Sequence, residues 1–252
     1  MYADKVDPQS SLRDKKIILF LGASITQGRI SKSYVKILKE RLGTKKYRYV
    51  NHGVAGYESY NVFKGLEKAI KTMPRFVILL VGTNDVLSSL DPKLARLSRK
   101  FKNIPHEPAP LHFRNNIIRI VQQLKEETDS KIAVASLPVL GENLYSVENK
   151  TIALYNAELR KITEDEDVVY LPVHEKQKDF LIKEIEGRGK NCLNSSRKSF
   201  TSLLLHYLLF MDLDTISRRN GYLLLTDGIH QNSTGAQFIA DEIEDFIRLG
   251  QS

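Results

Sequence analysis

Five short runs of apolar, mostly branched residues, four of them leading into stretches of helical spacing, constrain this chain more than any other feature. The clearest is Arg75–Val81 (RFVILLV), apolar almost throughout, as a strand covered on both faces must be. Lys16–Leu21 (KIILFL) ends at Gly22, and Lys131–Leu137 (KIAVASL) stops at Pro138. Tyr47–Val50 and Val168–Leu171 are shorter runs of the same kind. Helical spacing marks Ser33–Leu42, Asn61–Lys71, Leu111–Glu127, Val147–Glu164 and the closing segment Ser233–Leu249. Alternation of this kind predicts an α/β fold with a five-stranded parallel sheet and helices on both faces. In such sheets ligands bind beyond the carboxyl ends of the strands, so chemistry is expected just after strands one, two and three.

Two stretches fit the alternation less well. Leu87–Pro110 contains Pro92, Pro105, Pro108 and Pro110 and reads as a long loop. It holds the densest basic patch, Lys93, Arg96, Arg99, Lys100 and Lys102, whose spacing fits one face of a short helix or a basic loop. The block 174–222 reads as an insertion, with a charged helix over Lys176–Glu186 and a very apolar run at Phe200–Met211 (FTSLLLHYLLFM). No linker separates these parts, so residues 1–252 read as a single domain.

The single cysteine, Cys192, allows no intrachain disulfide. No apolar run is long enough to span a bilayer, and no signal peptide is visible, so the expected location is the cytoplasm. The net charge of +8 is spread along the chain without interleaved aromatics or zinc-finger cysteine pairs, so nucleic acid is not an expected partner.

Ser24 directly follows the first strand, in Leu21-Gly22-Ala23-Ser24-Ile25-Thr26. A serine there is either a helix cap or a nucleophile awaiting a base. The base candidate is His230, in Thr226-Asp227-Gly228-Ile229-His230. An aspartate three residues before a histidine can meet Nδ1 and leave Nε2 for a serine, the division of roles in a catalytic triad. The other histidines, His52, His106, His112, His174 and His206, mostly read as surface or capping residues. Cys192 has no acid–histidine pair beside it in sequence and is a poor rival nucleophile. Asn51-His52-Gly53-Val54-Ala55-Gly56 follows strand two, and Gly82-Thr83-Asn84-Asp85 follows strand three. Glycine N–H groups and an asparagine amide are the donors that a developing oxyanion needs.

These four segments, in this order, resemble the SGNH (GDSL-like) hydrolase family. The resemblance implies a flavodoxin-like three-layer α/β/α sandwich and a serine esterase or acylhydrolase that works through an acyl-enzyme, without metal or organic cofactor. It assigns Ser24, Asp227 and His230 to catalysis, and the N–H groups of Ser24 and Gly56 with the Asn84 side chain to the oxyanion hole. The family aspartate that precedes the serine is Ala23 here, which points to a more loosely ordered oxyanion loop. The expected substrate is a small-molecule or lipid acyl ester, with peripheral membrane contact as a further expectation. The apolar run Phe200–Met211 reads either as an extra buried helix or as a lid over the acyl chain, the latter favouring medium or long acyl esters. Three alternatives stay open: an O-acyltransferase, a carbohydrate deacetylase, and a non-catalytic binding module of the same fold.

Overall fold

The computed structural model describes residues 15–188 and 212–250. Phe200–Met211 and Cys192 lie outside these residues.

Five parallel strands form one sheet in the order β2-β1-β3-β4-β5. They are β1 (Lys16–Gly22), β2 (Tyr47–Gly53), β3 (Phe76–Leu80), β4 (Lys131–Ala135) and β5 (Val169–Leu171). Successive side chains of a strand face opposite sides, and here both sides are covered. Leu19 and Leu21 of β1 join Val77 and Leu79 of β3 in a core beneath Ile117, Leu124 and Tyr155. Ile18, Phe20, Ile78 and Leu80 join the opposite core with Leu38, Ile239 and Ile243. This double burial is why β1 and β3 read as unbroken apolar runs. The predicted three-layer α/β/α architecture is the one observed.

The helices on the first face are α3 (Ser59–Lys64), α4 (Leu66–Ile70), α7 (Pro110–Glu127) and α8 (Val147–Asp165); α2 (Tyr34–Leu42) and α11 (Ser233–Leu249) cover the second. The short helix α1 (Ser24–Gln27) follows β1, and α9 (Val173–Arg188) and α10 (Leu213–Asn220) lie toward either end of the stretch 174–222. The predicted single helix over Asn61–Lys71 is two helices, broken at Gly65.

Leu87–Pro110 is not a long loop. It holds the end of α5 (Thr83–Leu90) and all of α6 (Pro92–Lys102). Proline misleads at this point because Pro92 is the first residue of α6, where a helix needs no N–H from it. Asp91 caps the same turn by accepting the Lys93 N–H at 2.8 Å. Pro110 opens α7 in the same way. The basic patch is therefore helical, with only Ala95 of α6 buried.

From β1 the chain passes to β2 on one side, then crosses back to β3 on the other side of β1. The crevice at such a reversal is where open α/β sheets place their ligands. Ser24 follows β1 and Asn84 follows β3, so both flank it.

Candidate active site

A Cβ at Gly22, the last residue of β1, would collide with the Leu80 carbonyl and the Thr26 side chain, so only glycine lets the chain turn there. Ala23 is the N-cap of α1 and makes no side-chain capping bond; Ser24 is the first helical residue. Gly28 ends the turn at φ 71°, its N–H donating to the Ser24 carbonyl. Ser24 is therefore not a cap. Its buried hydroxyl lies 3.0 Å from His230 Nε2. Its own N–H, at the start of a helix, has no intrahelical acceptor.

His230 Nδ1 lies 2.8 Å from Asp227 Oδ2. Asp227 Oδ1 accepts the N–H groups of Ile229 at 3.0 Å and His230 at 2.8 Å. An ionised carboxylate can only accept, so Nδ1 carries its proton toward Asp227 and Nε2 faces the serine as an acceptor. Burial alone would raise the Asp227 pKa. The hydrogen bond and charge of His230, with the two backbone N–H groups, outweigh it and hold the carboxyl below its ordinary range.

The segment carrying Asp227 is fixed by a residue with no sequence signal. Buried Glu142 accepts the N–H groups of Leu223, Leu224 and Leu225 at 2.7–3.1 Å. The Thr226 N–H donates to the His230 carbonyl at 2.7 Å, and Leu225 bridges to Gln231, closing a tight loop around the Asp–His pair.

Gly56 and Asn84 meet at the same end of the sheet, both lining one cleft with Asp227. Gly56 has φ 74°, a conformation that favours glycine, and its N–H makes no hydrogen bond among the described residues. The Asn84 Nδ2 donates one proton to the Tyr57 carbonyl at 2.8 Å, which leaves its second N–H available. Next to it, buried Asp85 accepts the Ser59 N–H and the Ser59 hydroxyl, at 3.0 and 2.5 Å. Burial pushes the Asp85 carboxyl up to about 7; Ser59 opposes the shift and the nearby Glu58 adds to it.

Ala23 offers the loop 54–58 no polar group, yet that loop is held from other sides. Lys102 of α6 donates to the Ala55 carbonyl at 3.1 Å, and Asn84 to that of Tyr57. Lys102 thus turns toward the loop instead of standing with the basic patch. Among the other described histidines, one departs from expectation. His174 is buried, and its backbone N–H donates to Ser136 Oγ at 2.8 Å.

A cleft of about 690 Å³ opens from Gly56, Asn84 and Asp227. Its walls include Leu87, Leu90, Leu94, Leu140, Tyr222 and Ile229.

Solved structures share this architecture. The acetyl xylan esterase AlAXEase is 20% identical, with a TM-score of 0.64 over 92% of this chain and 99% of its own. The acetylxylan esterase Axe2 from Geobacillus stearothermophilus is 15% identical, with a TM-score of 0.62 over 91% and 93%. An α/β hydrolase from the metagenome of Lake Arreo, Spain, is 16% identical, with a TM-score of 0.61 over 92% and 94%. Catalytic mutants of the Geobacillus enzyme change a serine, an aspartate and a histidine, the last two three positions apart. No curated protein matches the sequence. The model of the GDSL-like lipase/acylhydrolase family matches residues 20–190, which include Ser24, Gly56 and Asn84, while the Asp–His pair joins them through the fold. The chain belongs to the GDSL-like lipase/acylhydrolase family and is a carboxylic ester hydrolase of that family.

Proposed function

We propose that Ser24 is the nucleophile of a serine acylhydrolase, with His230 as its base and Asp227 orienting the imidazole. The observation that carries this reading is the unbroken line of hydrogen bonds from Asp227 Oδ2 through His230 to Ser24 Oγ. His230 Nε2 takes the hydroxyl proton as Ser24 Oγ attacks the ester carbonyl. The carbonyl oxygen becomes an oxyanion that accepts from the N–H groups of Ser24 and Gly56 and from the Asn84 amide. His230 returns the proton to the departing alcohol, leaving the acyl group on Ser24. It then deprotonates water, which attacks the acyl carbon, and it returns that proton to Ser24 Oγ as the acid is released.

The acyl group lies in the cleft walled by Leu87, Leu90, Leu140 and Ile229. A leucine-lined cleft of that size suits a medium or long acyl chain better than acetate, because each buried methylene adds about 0.8 kcal/mol. On α6, Leu94, Leu97 and Phe101 remain 38, 51 and 69% exposed beside Lys93, Arg96, Arg99 and Lys100. An apolar stripe among basic side chains supports contact with an anionic lipid surface, where such substrates reside. Two structural neighbours, both acetylxylan esterases, support a second reading, a carbohydrate deacetylase.

Labelling with a fluorophosphonate tests the nucleophile: the native chain reacts and Ser24→Ala does not. Labelling that persists in Ser24→Ala removes Ser24 from the role. A p-nitrophenyl ester series from acetate to laurate then separates the two substrates. The acyl-chain reading requires kcat/KM to rise with length, and a maximum at acetate favours the deacetylase.

A further inference from the structure

Lys102 is the last residue of α6, and Asn103 follows it in the left-handed conformation at φ 53°. Its Nζ donates to the Ala55 carbonyl at 3.1 Å and sits 5.8 Å from the centre of the Tyr57 ring. The ammonium lies so close above Gly56 that a Cβ there would collide with it. The Lys102 backbone is tied to the same loop, since Asn61 Nδ2 donates to its carbonyl at 2.9 Å. Asn61 also accepts the Glu58 N–H at 3.1 Å, so one side chain joins the end of α6 to the end of the loop.

The Ala55 carbonyl and the Gly56 N–H belong to one peptide unit. The chain contains no cis peptide among the described residues, so the two groups point in opposite directions from one rigid plane. A cation on the oxygen therefore fixes where the N–H points. It also draws electron density through the amide, which makes that N–H a stronger donor, as hydrogen bonds in a chain polarise one another. Lys102 is partly buried, so solvent screens its field on this peptide less than it would at an open surface.

We propose that Lys102 is a positioning residue for ester hydrolysis, orienting and polarising the Ala55–Gly56 peptide so that the Gly56 N–H meets the oxyanion. It acts through the peptide and does not touch the reacting atoms. Together with Asn84 on the Tyr57 carbonyl, it grips the loop where Ala23 contributes nothing polar. The proposal rests on the oxyanion role of Gly56 set out above.

The test compares Lys102→Met, Lys102→Gln and Lys102→Arg with the native chain and with Asn84→Ala, using p-nitrophenyl butyrate and thermal unfolding. Removing one direct oxyanion donor costs about 100-fold or more in kcat, so losing an indirect one is expected to cost about tenfold. Lys102→Met and Lys102→Gln should each lower kcat by about that factor while KM stays within about twofold. Lys102→Arg should recover most of kcat, because it returns a cationic donor. Unchanged kcat in both neutral variants, a loss confined to KM, or an arginine variant as slow as the methionine one overturns the proposal. A fall in kcat matched by collapse of the unfolding transition in both neutral variants also overturns it, since that marks a structural role. Should Asn84→Ala retain full kcat, the oxyanion assignment itself fails. If Asn84→Ala is slow while the lysine variants are not, only the role of Lys102 is lost.

Discussion

Asp85 offers the sharpest quantitative test of the structure, since burial raises its carboxyl from 3.8 to about 7 beside the Ser59 hydroxyl and N–H. A raised folded-state pKa means that between about pH 4 and pH 7 the folded chain keeps a proton that the unfolded chain has released. Stability therefore falls as pH rises through that window and levels off above it. The shift is about 3 units, and at about 1.4 kcal/mol per unit it corresponds to roughly 4 kcal/mol. Asp85→Asn removes the titration and retains an oxygen to accept from Ser59. The stability of Asp85→Asn relative to the native chain should thus rise by roughly 4 kcal/mol from pH 4 to pH 8, or about 10 °C in Tm for a chain of this size. The pKa values of His52, His106 and His174 are lowered by burial and push in the opposite sense, with stability rising toward neutral pH. They are common to both proteins and cancel in the difference. The assay is thermal unfolding of both proteins across that range in matched ionic strength. Parallel Tm curves would show that Asp85 carries no extra proton in the folded state and would refute the reasoning.

Three further outcomes are expected. Asp227→Asn places an amide N–H₂ against His230 Nδ1, favours the wrong tautomer, and should lower kcat by about 10³–10⁴ while fluorophosphonate labelling slows in proportion. Gly22→Ala forces a Cβ against the Leu80 carbonyl and should destabilise the chain by about 2 kcal/mol or more, read from denaturant midpoints. Phe101→Asp should weaken co-sedimentation with anionic vesicles about tenfold; equal binding by the variant argues against α6 as the membrane-facing element.

The parts of the fold that sequence reveals are those whose cause is local. β1 and β3 are legible because burial on both faces leaves no polar residue in their centres. Ser24, Asn84 and the Asp227–His230 pair are legible because each sits in a short motif at a strand end or a helix start. Leu87–Pro110 misleads because Pro92 and Pro110 look like breakers until their place at the first turn of α6 and α7 is known. The supports of the site leave no local trace. Lys102 reaches Ala55 across 47 positions, and Glu142 reaches Leu223 across 81, each through a side chain bound to main chain. Such bonds impose no periodicity on either partner.

Ser24 and His230 are 206 positions apart, yet they share one hydrogen bond. Ser24 opens the short helix that follows the first strand, and His230 lies in the loop that precedes the last helix. During refolding, the sheet and most helices can form before His230 reaches Ser24, the contact on which the proposed mechanism depends. Ester turnover should therefore recover later than the far-ultraviolet helical signal, with a lag set by docking of the segment 223–231 against Glu142 and Ser24. Enzymatic activity in this chain is thus a clock for the docking of the segment that precedes its last helix.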